Sequence, residues 1–259
     1  MAQNKIISIS ETDKELYKDK IKIFIAEPTQ GLINYVPHDN RKDFFLHIAR
    51  LEAVTNFKFF SGTVGRLTAN YAREIIAERC LEAGMDYILW IDDDMLIPFD
   101  LFERLYRHNV DMVMPLTFMR VPPYTPVMWN EIVDNTDPVN PGINFQPILE
   151  YEKDILLPAG EIGFGVVLQK VAILKNIPKP WFFNNTSIGE DIWFCFKAKQ
   201  NGFKCFVDTS FAVGHLGVPP IICEEEYLEY KEKGHIRNRQ RMDFTVHGNP
   251  VRKENAING

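Results

Sequence analysis

The sequence predicts an α/β protein in which helices cover a mostly parallel central sheet. Short apolar runs rich in β-branched and aromatic residues alternate with segments whose apolar residues recur at helical spacing. Parallel strands need long crossover connections, which helices usually supply, so this alternation indicates βαβ units. One apolar run, Tyr87–Ile91, ends abruptly in three aspartates. Because ligands of open α/β sheets bind outside the carboxyl ends of strands, that point is the first candidate for a site.

In the first half, several predicted elements have a recognisable start or stop. Glu27, Pro28 and Thr29 end the first strand, Gly84 stops the most regular helix, and Pro98 lies near the first turn of another helix. The predicted elements, in order, are a strand over 22–26, a helix over 43–54, a strand over 56–62, a helix over 67–83, a strand over 87–91, a helix over 98–109 and a strand over 110–116.

The second half has a long proline-rich segment, 117–158, with little periodicity apart from a candidate hairpin strand near 148–151. Long irregular loops in compact domains usually carry function or mobility. Beyond this segment, the pattern predicts a strand over 166–168, a short helix, a helix over 190–200 and a strand over 204–211.

The chain shows neither an internal repeat nor a clear linker. It is therefore predicted to form one domain over 1–217, with a first half of about 20–116 and a second half of about 117–217, followed by a charged helical extension over 218–259. The extension can be a solvated helix, a lid or a homodimer contact. Its arginines, Arg237, Arg239 and Arg241, can also contact an anionic surface weakly.

The composition of the chain argues against several classes of function. The 29 basic and 35 acidic residues give a net charge of −6, with no basic block of the kind that contacts nucleic acid. No apolar run approaches the ~18 residues that a membrane span requires. The first twenty residues are interrupted by charge and do not resemble a secretory signal. Four cysteines without CxxC spacing indicate reduced thiols, so a cytoplasmic protein is expected.

The three aspartates have two open interpretations. In an extended segment, Asp92 and Asp94 face the same side and Asp93 faces away. Two converging carboxylates repel each other unless a cation lies between them, and oxygen ligands favour Mg²⁺ or Mn²⁺. Alternatively, these acids are solvated loop residues or cap the helix that follows.

Three separated motifs resemble those of the GT-A glycosyltransferases, nucleotide-sugar-dependent enzymes with a Rossmann-like sheet, in particular the family-2 type. WIDDDM resembles the DxD motif that ends a strand, GEDIWFCFKAKQNGFKCFVD resembles the ED helix with its following strand, and VGHLG resembles the segment with a late metal-binding histidine. The resemblance covers roughly 20–217, in the family's order. It implies Mn²⁺ or Mg²⁺ bound by Asp92, Asp94 and His215.

The resemblance also implies a catalytic base. In inverting members the carboxylate at the position of Asp191 takes the proton of the acceptor hydroxyl as it attacks the anomeric carbon. Glu190 would orient the acceptor or cap the helix, where carboxylates suit the exposed N–H groups. A retaining enzyme would not use Asp191 in this way, and the sequence leaves both stereochemical outcomes open.

The donor side depends more heavily on the resemblance. The end of the first strand holds the nucleoside in this fold, a helix such as 67–83 presents polar residues to the donor, and a glycine-rich loop lets the backbone approach the transferred sugar. The matching donor-binding candidates are Glu27, Pro28, Thr29, Asn70, Arg73, Asp93, Gly163 and Gly165, with Asp92 shared with the metal. A strand-ending turn and a solvated helix face are the competing interpretations.

The predicted function is metal-dependent transfer of a sugar from a nucleotide-sugar donor to a carbohydrate or other hydroxyl acceptor, and the family resemblance implies a UDP-sugar as the donor. The proline-rich segment 119–147, with Tyr124 and Trp129, would form the acceptor wall or lid, although Trp129 fits a buried core equally well. The alternatives are a nucleotidyltransferase-like enzyme and a non-catalytic nucleotide- or carbohydrate-binding protein. The absence of Lys and Arg between Ala26 and Asn40 argues against the first.

Overall fold

The computed structural model describes residues 11–29, 35–134, 142–184, 188–217 and 221–233. The helices are α1 (Glu11–Leu16), α2 (Tyr35–Val54), α3 (Ala69–Glu82), α4 (Leu101–Tyr106), α5 (Ala172–Asn176), α6 (Glu190–Gln200) and α7 (Glu224–Glu232). The strands are β1 (Ile21–Thr29), β2 (Phe57–Gly65), β3 (Tyr87–Ile91), β4 (Met95–Leu96), β5 (Met112–Leu116), β6 (Met128–Asp134), β7 (Gly142–Pro147), β8 (Leu156–Ala159), β9 (Glu161–Ile162), β10 (Val166–Lys170), β11 (Cys205–Ala212), β12 (Gly214–Leu216) and β13 (Ile221–Ile222).

The central sheet has seven strands in the order β2-β1-β3-β10-β5-β11-β8. β1 pairs in parallel with β2 and β3, and β11 pairs in parallel with β5. β10 lies antiparallel between β3 and β5, and β8 is antiparallel to β11. Five strands therefore run in one direction, and the predicted mostly parallel sheet is confirmed.

Central strands bury both of their faces. Ile88 and Trp90 of β3 belong to one apolar cluster, whereas Leu89 and Ile91 belong to another on the opposite face. α3 and α6 contribute to the first cluster, and α2 and α4 contribute to the second. The alternation of strand side chains and the helices on each face give a three-layer α/β architecture.

Two element predictions were wrong. α2 begins at Tyr35 and not at Asp43, because Pro37 falls within the first turn, where proline is tolerated. The hairpin strand expected near 148–151 is irregular, since the hairpin forms between β6 and β7 and ends at Pro147.

α7 packs on the proline-rich half through Tyr227. The Tyr227 ring is buried and stacks on Phe118 at 5.3 Å, and its hydroxyl donates to the Leu149 carbonyl at 2.6 Å. Residues 234–259, with Arg237, Arg239 and Arg241, lie outside the described residues, so the roles suggested for the extension stay predictions.

Two further features concern the whole described chain. Among the described helices, none combines the length and the apolar character needed to cross a bilayer. All four cysteines are free thiols: Cys80, Cys195 and Cys205 are buried, and Cys223 is half-buried.

Candidate functional site

A cleft of about 700 Å³ opens at the carboxyl ends of four parallel strands. The segments that follow β1, β3, β5 and β11 all contribute to its wall, and the start of α3 completes it. The lining residues are Pro28, Thr29, Leu67, Ala69, Ala72, Asp92, Asp93, Asp94, Met119, Arg120, Val121, His215 and Leu216. This is the edge of the sheet at which α/β proteins bind ligands.

The three aspartates occupy a turn, which corrects the extended geometry predicted for them. The Met95 N–H donates to the Asp92 carbonyl at 3.1 Å, and the Asp92 N–H donates to the Gly165 carbonyl at 2.8 Å. The turn directs the three carboxylates to different partners, and all three line the cleft. The reason is that the chain reverses immediately after β3 to pair β4 with β12.

Asp94 and His215 contact each other. Antiparallel pairing of β12 with β4 sets His215 opposite Met95, and the Leu216 N–H donates to the Asp94 carbonyl at 2.8 Å. His215 Nε2 lies 3.2 Å from Asp94 Oδ2, while His215 Nδ1 lies 2.7 Å from the Phe118 carbonyl and donates to it. Burial opposes ionisation of Asp94, yet the hydrogen bond and charge of His215, with help from Arg120, lower its pKa.

The donor set suits a hard divalent cation. Because His215 Nδ1–H is held by a backbone carbonyl, Nε2 is fixed toward Asp94, the arrangement typical of metal-binding histidines. In the described part of the chain, however, ligand atoms of Asp92, Asp94 and His215 do not all come within 4.8 Å of one another. Asp94 and His215 therefore form a prearranged pair, and Asp92 faces another partner.

That partner is Arg73, whose side chain is only 3% exposed. Its Nη2 donates to both Asp92 oxygens, at 2.8 and 2.9 Å, and its Nε donates to Glu190 Oε1 at 3.4 Å. The guanidinium carbon lies 5.6 Å from the ring centroids of both Trp90 and Phe164. Arg73 thus joins the acidic turn to α6 from behind the cleft, and it does not line the cleft.

Burial also dominates the pKa of two carboxyl groups in this cluster, Asp92 and Asp191. It raises the pKa of Asp92 to about 7, and the negative charges of Asp94 and Glu190 act in the same direction while Arg73 opposes them. It raises the pKa of Asp191 to about 6, again with help from Glu190. Both carboxyl groups therefore titrate closer to neutrality than an ordinary aspartate.

Asp191 lies at the start of α6 with its carboxylate folded over the helix end. The Ile192 N–H donates to Asp191 Oδ1 at 2.8 Å. A Cβ at Gly189 would come within 2.8 Å of the same oxygen, so the glycine leaves the space that this carboxylate occupies. Neither Glu190 nor Asp191 belongs to the described lining of the cleft; Glu190 is joined to the acidic turn through Arg73.

Side chains at the end of β1 face two environments, the cleft and the protein interior. Pro28 and Thr29 line the cleft, and the Thr29 hydroxyl donates to Asp93 Oδ2. Glu27 forms an ion pair with Arg41, a buried residue of α2 whose other nitrogen donates to the Asp92 carbonyl. Arg41 thus supports the acidic turn. Sequence reasoning missed it because the helix was predicted to begin after it.

The remaining donor-binding candidates lie against protein. A Cβ at Gly163 would meet Val127 at 3.0 Å, and one at Gly165 would meet the Met95 sulfur at 3.2 Å. The lack of a side chain at Gly163 and Gly165 therefore allows Val127 and Met95 to pack closely. Contact of these glycines with a sugar stays a prediction. Asn70 is half-buried, and its Oδ1 accepts from the Thr68 hydroxyl at 2.5 Å, beside the cleft wall but not in it.

The two predicted acceptor-side aromatic residues pack on protein. Tyr124 is buried and meets the Tyr230 ring at 5.5 Å, and Trp129 is half-buried against the core. The cleft is instead reached by Met119, Arg120 and Val121 of the same segment, which sequence reasoning did not single out. A lone arginine in a proline-rich segment gives no periodic signal that could have identified it.

Comparison with known proteins extends this description. No protein-family model matches the chain, and no curated protein matches its sequence. The solved structure of A197 from STIV is similar, with a TM-score of 0.50 and 17% identity over 78% of this chain and 93% of that one. This likeness shows a shared fold.

Two other solved structures resemble the chain more distantly. GalNAc-T7 with UDP, GalNAc and Mn²⁺ has a TM-score of 0.43 and 12% identity over 83% of this chain and 48% of that one, so the present chain spans about half its length. Apo UDP-glucose pyrophosphorylase has a TM-score of 0.40 and 10% identity over 86% of this chain and 84% of that one. The fold and the cleft together define a three-layer α/β protein with an acidic cleft at its strand ends.

Proposed function

We propose that this protein is a metal-dependent glycosyltransferase of the GT-A type, which moves a sugar from a nucleotide sugar, with UDP as the first candidate nucleotide, to an acceptor hydroxyl with inversion. The observation that carries the proposal is the contact between Asp94 and His215 in a cleft at the carboxyl ends of the parallel strands. The ordered DxD-like, ED-like and late-histidine motifs support it.

Asp94 and His215 would hold Mn²⁺ or Mg²⁺. Asp92 would complete the set by turning one oxygen toward Asp94, because a carboxylate oxygen that accepts from Arg73 keeps a second lone pair. A bound divalent ion would stabilise the negative charge that grows on the departing diphosphate. Pro28, Thr29 and Asp93, at the β1 side of the cleft, would contact the nucleoside.

Asp191 would accept the proton of the attacking hydroxyl. Its raised pKa, about 6, leaves it ionised at neutral pH yet more basic than an ordinary aspartate. Glu190, bound to Arg73, would orient the acceptor and keep α6 aligned with the acidic turn. The acceptor and the sugar are set by pocket shape, which motifs do not determine.

The proposal predicts metal-dependent binding of one nucleotide. Thermal unfolding would be followed with Mn²⁺ plus UDP, GDP, CMP or dTDP in parallel, and with each nucleotide alone. A ligand at 100 times its dissociation constant adds ~2.7 kcal/mol to the unfolding free energy, so the matching nucleotide should raise Tm visibly. Asp94→Ala should abolish the shift, because it removes the carboxylate next to His215.

The control variant is Asp39→Ala, since Asp39 is a surface acid of α2 paired with Lys42 and should leave the shift unchanged. If no nucleotide stabilises the wild type with Mn²⁺, the proposed function is wrong. The nucleotidyltransferase alternative predicts a different product: pyrophosphate released from a nucleoside triphosphate and a sugar 1-phosphate, instead of a nucleoside diphosphate released from a nucleotide sugar.

A further inference from the structure

Arg120 contacts the same oxygen that the proposed metal would use. Its Nη1 donates to Asp94 Oδ2 at 3.0 Å, and His215 Nε2 lies 3.2 Å from that atom. The Arg120 side chain is 59% exposed, in contrast to the buried Arg41 and Arg73. Of the described residues that line the cleft, Arg120 alone is an Arg or Lys.

The segment that carries Arg120 is a short reversal that projects from the end of β5. The Val127 N–H donates to the Thr117 carbonyl and the Met119 N–H donates to the Thr125 carbonyl, each at 2.9 Å. The Phe118 carbonyl accepts from His215, which fixes the base of the reversal beside Asp94. The base is therefore held, while the side chains of residues 119–123, including Arg120, are exposed.

The charges that line the cleft determine what the Arg120 guanidinium can bind. Three carboxylates and one guanidinium face the cleft, so a diphosphate would meet net negative charge until a cation binds. A divalent ion on Asp94 would compete directly with Arg120, because both need the same oxygen. An exposed ion pair is weak, so the metal can displace the guanidinium at little cost. The displaced guanidinium then faces the oxygens of the entering diphosphate, which arginine binds well through its paired N–H donors.

We propose that Arg120 is a diphosphate-binding residue that forms an ion pair with Asp94 until a divalent metal displaces it. This inference rests on the proposed function and adds a binding order to it, with the metal preceding or accompanying the nucleoside diphosphate. Arg120 thereby contributes to affinity for the donor and for the diphosphate product, and it opposes binding of the metal alone.

The test uses Arg120→Ala and isothermal titration of the full chain. Mn²⁺ alone should bind the variant about 2–5-fold more tightly, the range expected when a weak competing ion pair is removed. With saturating Mn²⁺, UDP or GDP, whichever the wild type binds, should bind about tenfold or more weakly, because a charge-assisted hydrogen bond is lost. The corresponding monophosphate, UMP or GMP, should lose less than the diphosphate.

The matched control is Arg79→Ala. Arg79 is 53% exposed and pairs with Glu82 at 2.8 Å, on the far end of α3, so none of the three affinities should change. If Arg120→Ala binds Mn²⁺ alone equally well or more weakly, the competition is refuted. If it binds the diphosphate as tightly as the wild type does, the phosphate role is refuted. A wild type that binds none of UDP, GDP, CMP and dTDP with Mn²⁺ refutes the proposed function itself, a result that the Arg120 variant alone cannot produce.

Discussion

Replacing Asp191 with asparagine is expected to lower kcat by about 10²–10⁴-fold, the contribution typical of a positioned general base. Asparagine keeps the shape of the side chain and an oxygen that can accept from the Ile192 N–H, so α6 should begin as before. It cannot accept the proton of the acceptor hydroxyl. The measurement is release of the nucleoside diphosphate from the nucleotide sugar that the protein binds, with and without acceptor.

If Asp191 is the general base, its pKa also determines how kcat of the wild type depends on pH. Burial, aided by the charge of Glu190, raises the pKa of Asp191 to about 6. A base must be unprotonated to work, so kcat should be highest above pH ~6 and fall about tenfold per pH unit below it. Asp191→Asn should lose this acidic limb, because the group whose protonation causes it is gone.

Glu190→Gln provides the comparison for Asp191→Asn. Glu190 accepts from Arg73 and would orient the acceptor, so its loss should cost less than that of Asp191. Unfolding curves of both variants should show a native fold. If Asp191→Asn retains more than a tenth of wild-type kcat, Asp191 is not the base. NMR of the product would then decide whether the anomeric configuration is retained, the outcome under which this role for Asp191 does not apply.

The fold could be predicted where local pattern and burial agree. β1 and β3 are apolar because both of their faces are buried, and α3 shows a helical stripe with Gly84 after it. The start of α2 could not be predicted, because residues 35–42 are mostly polar and include a proline. Arg41 is buried there by ion pairing with Glu27, and no apolar pattern marks such a residue.

The sequence identified some of the residues that line the cleft, but not their contacts. Asp94 and His215 come together through β4 and β12, strands of two and three residues whose pairing spans more than a hundred positions. Neither strand is long enough to show a period in sequence. The expectation that Asp92 and Asp94 converge assumed an extended segment. In the turn after β3, Asp92 instead pairs with Arg73, and Asp94 pairs with His215.

Replacing Arg73 with alanine is expected to destabilise the protein by about 3–5 kcal/mol, the cost of breaking a buried ion pair by removing one partner. The guanidinium binds Asp92 and Glu190, and its carbon lies 5.6 Å from the ring centroids of Trp90 and Phe164, so its loss leaves two half-buried carboxylates facing each other across a cavity. For a chain of this size, Tm should fall by roughly 6–20 °C. Thermal and urea unfolding without metal would measure the change.

Arg79→Ala, on the same helix, separates this effect from a change in helix propensity. Arg79 is exposed, and its substitution should alter the unfolding free energy by no more than about 0.5 kcal/mol. A double-mutant cycle with Asp92→Asn tests the pair itself, since the asparagine removes the charge that Arg73 neutralises. Arg73→Ala in the Asp92→Asn background should cost less than in the wild type, by about 0.5–3 kcal/mol.

The opposite result would assign Arg73 a different role. If Arg73→Ala leaves Tm within 2 °C of the wild type, as a rough bound on a change under ~1 kcal/mol, the guanidinium does not hold the acidic turn to α6. A variant of that kind that nevertheless lost nucleotide affinity would support the donor-binding role that the sequence suggested. Additive costs in the double-mutant cycle would place the stabilisation in the Glu190 ion pair and the aromatic contacts rather than in the Asp92 ion pair, because only the latter depends on the charge of Asp92.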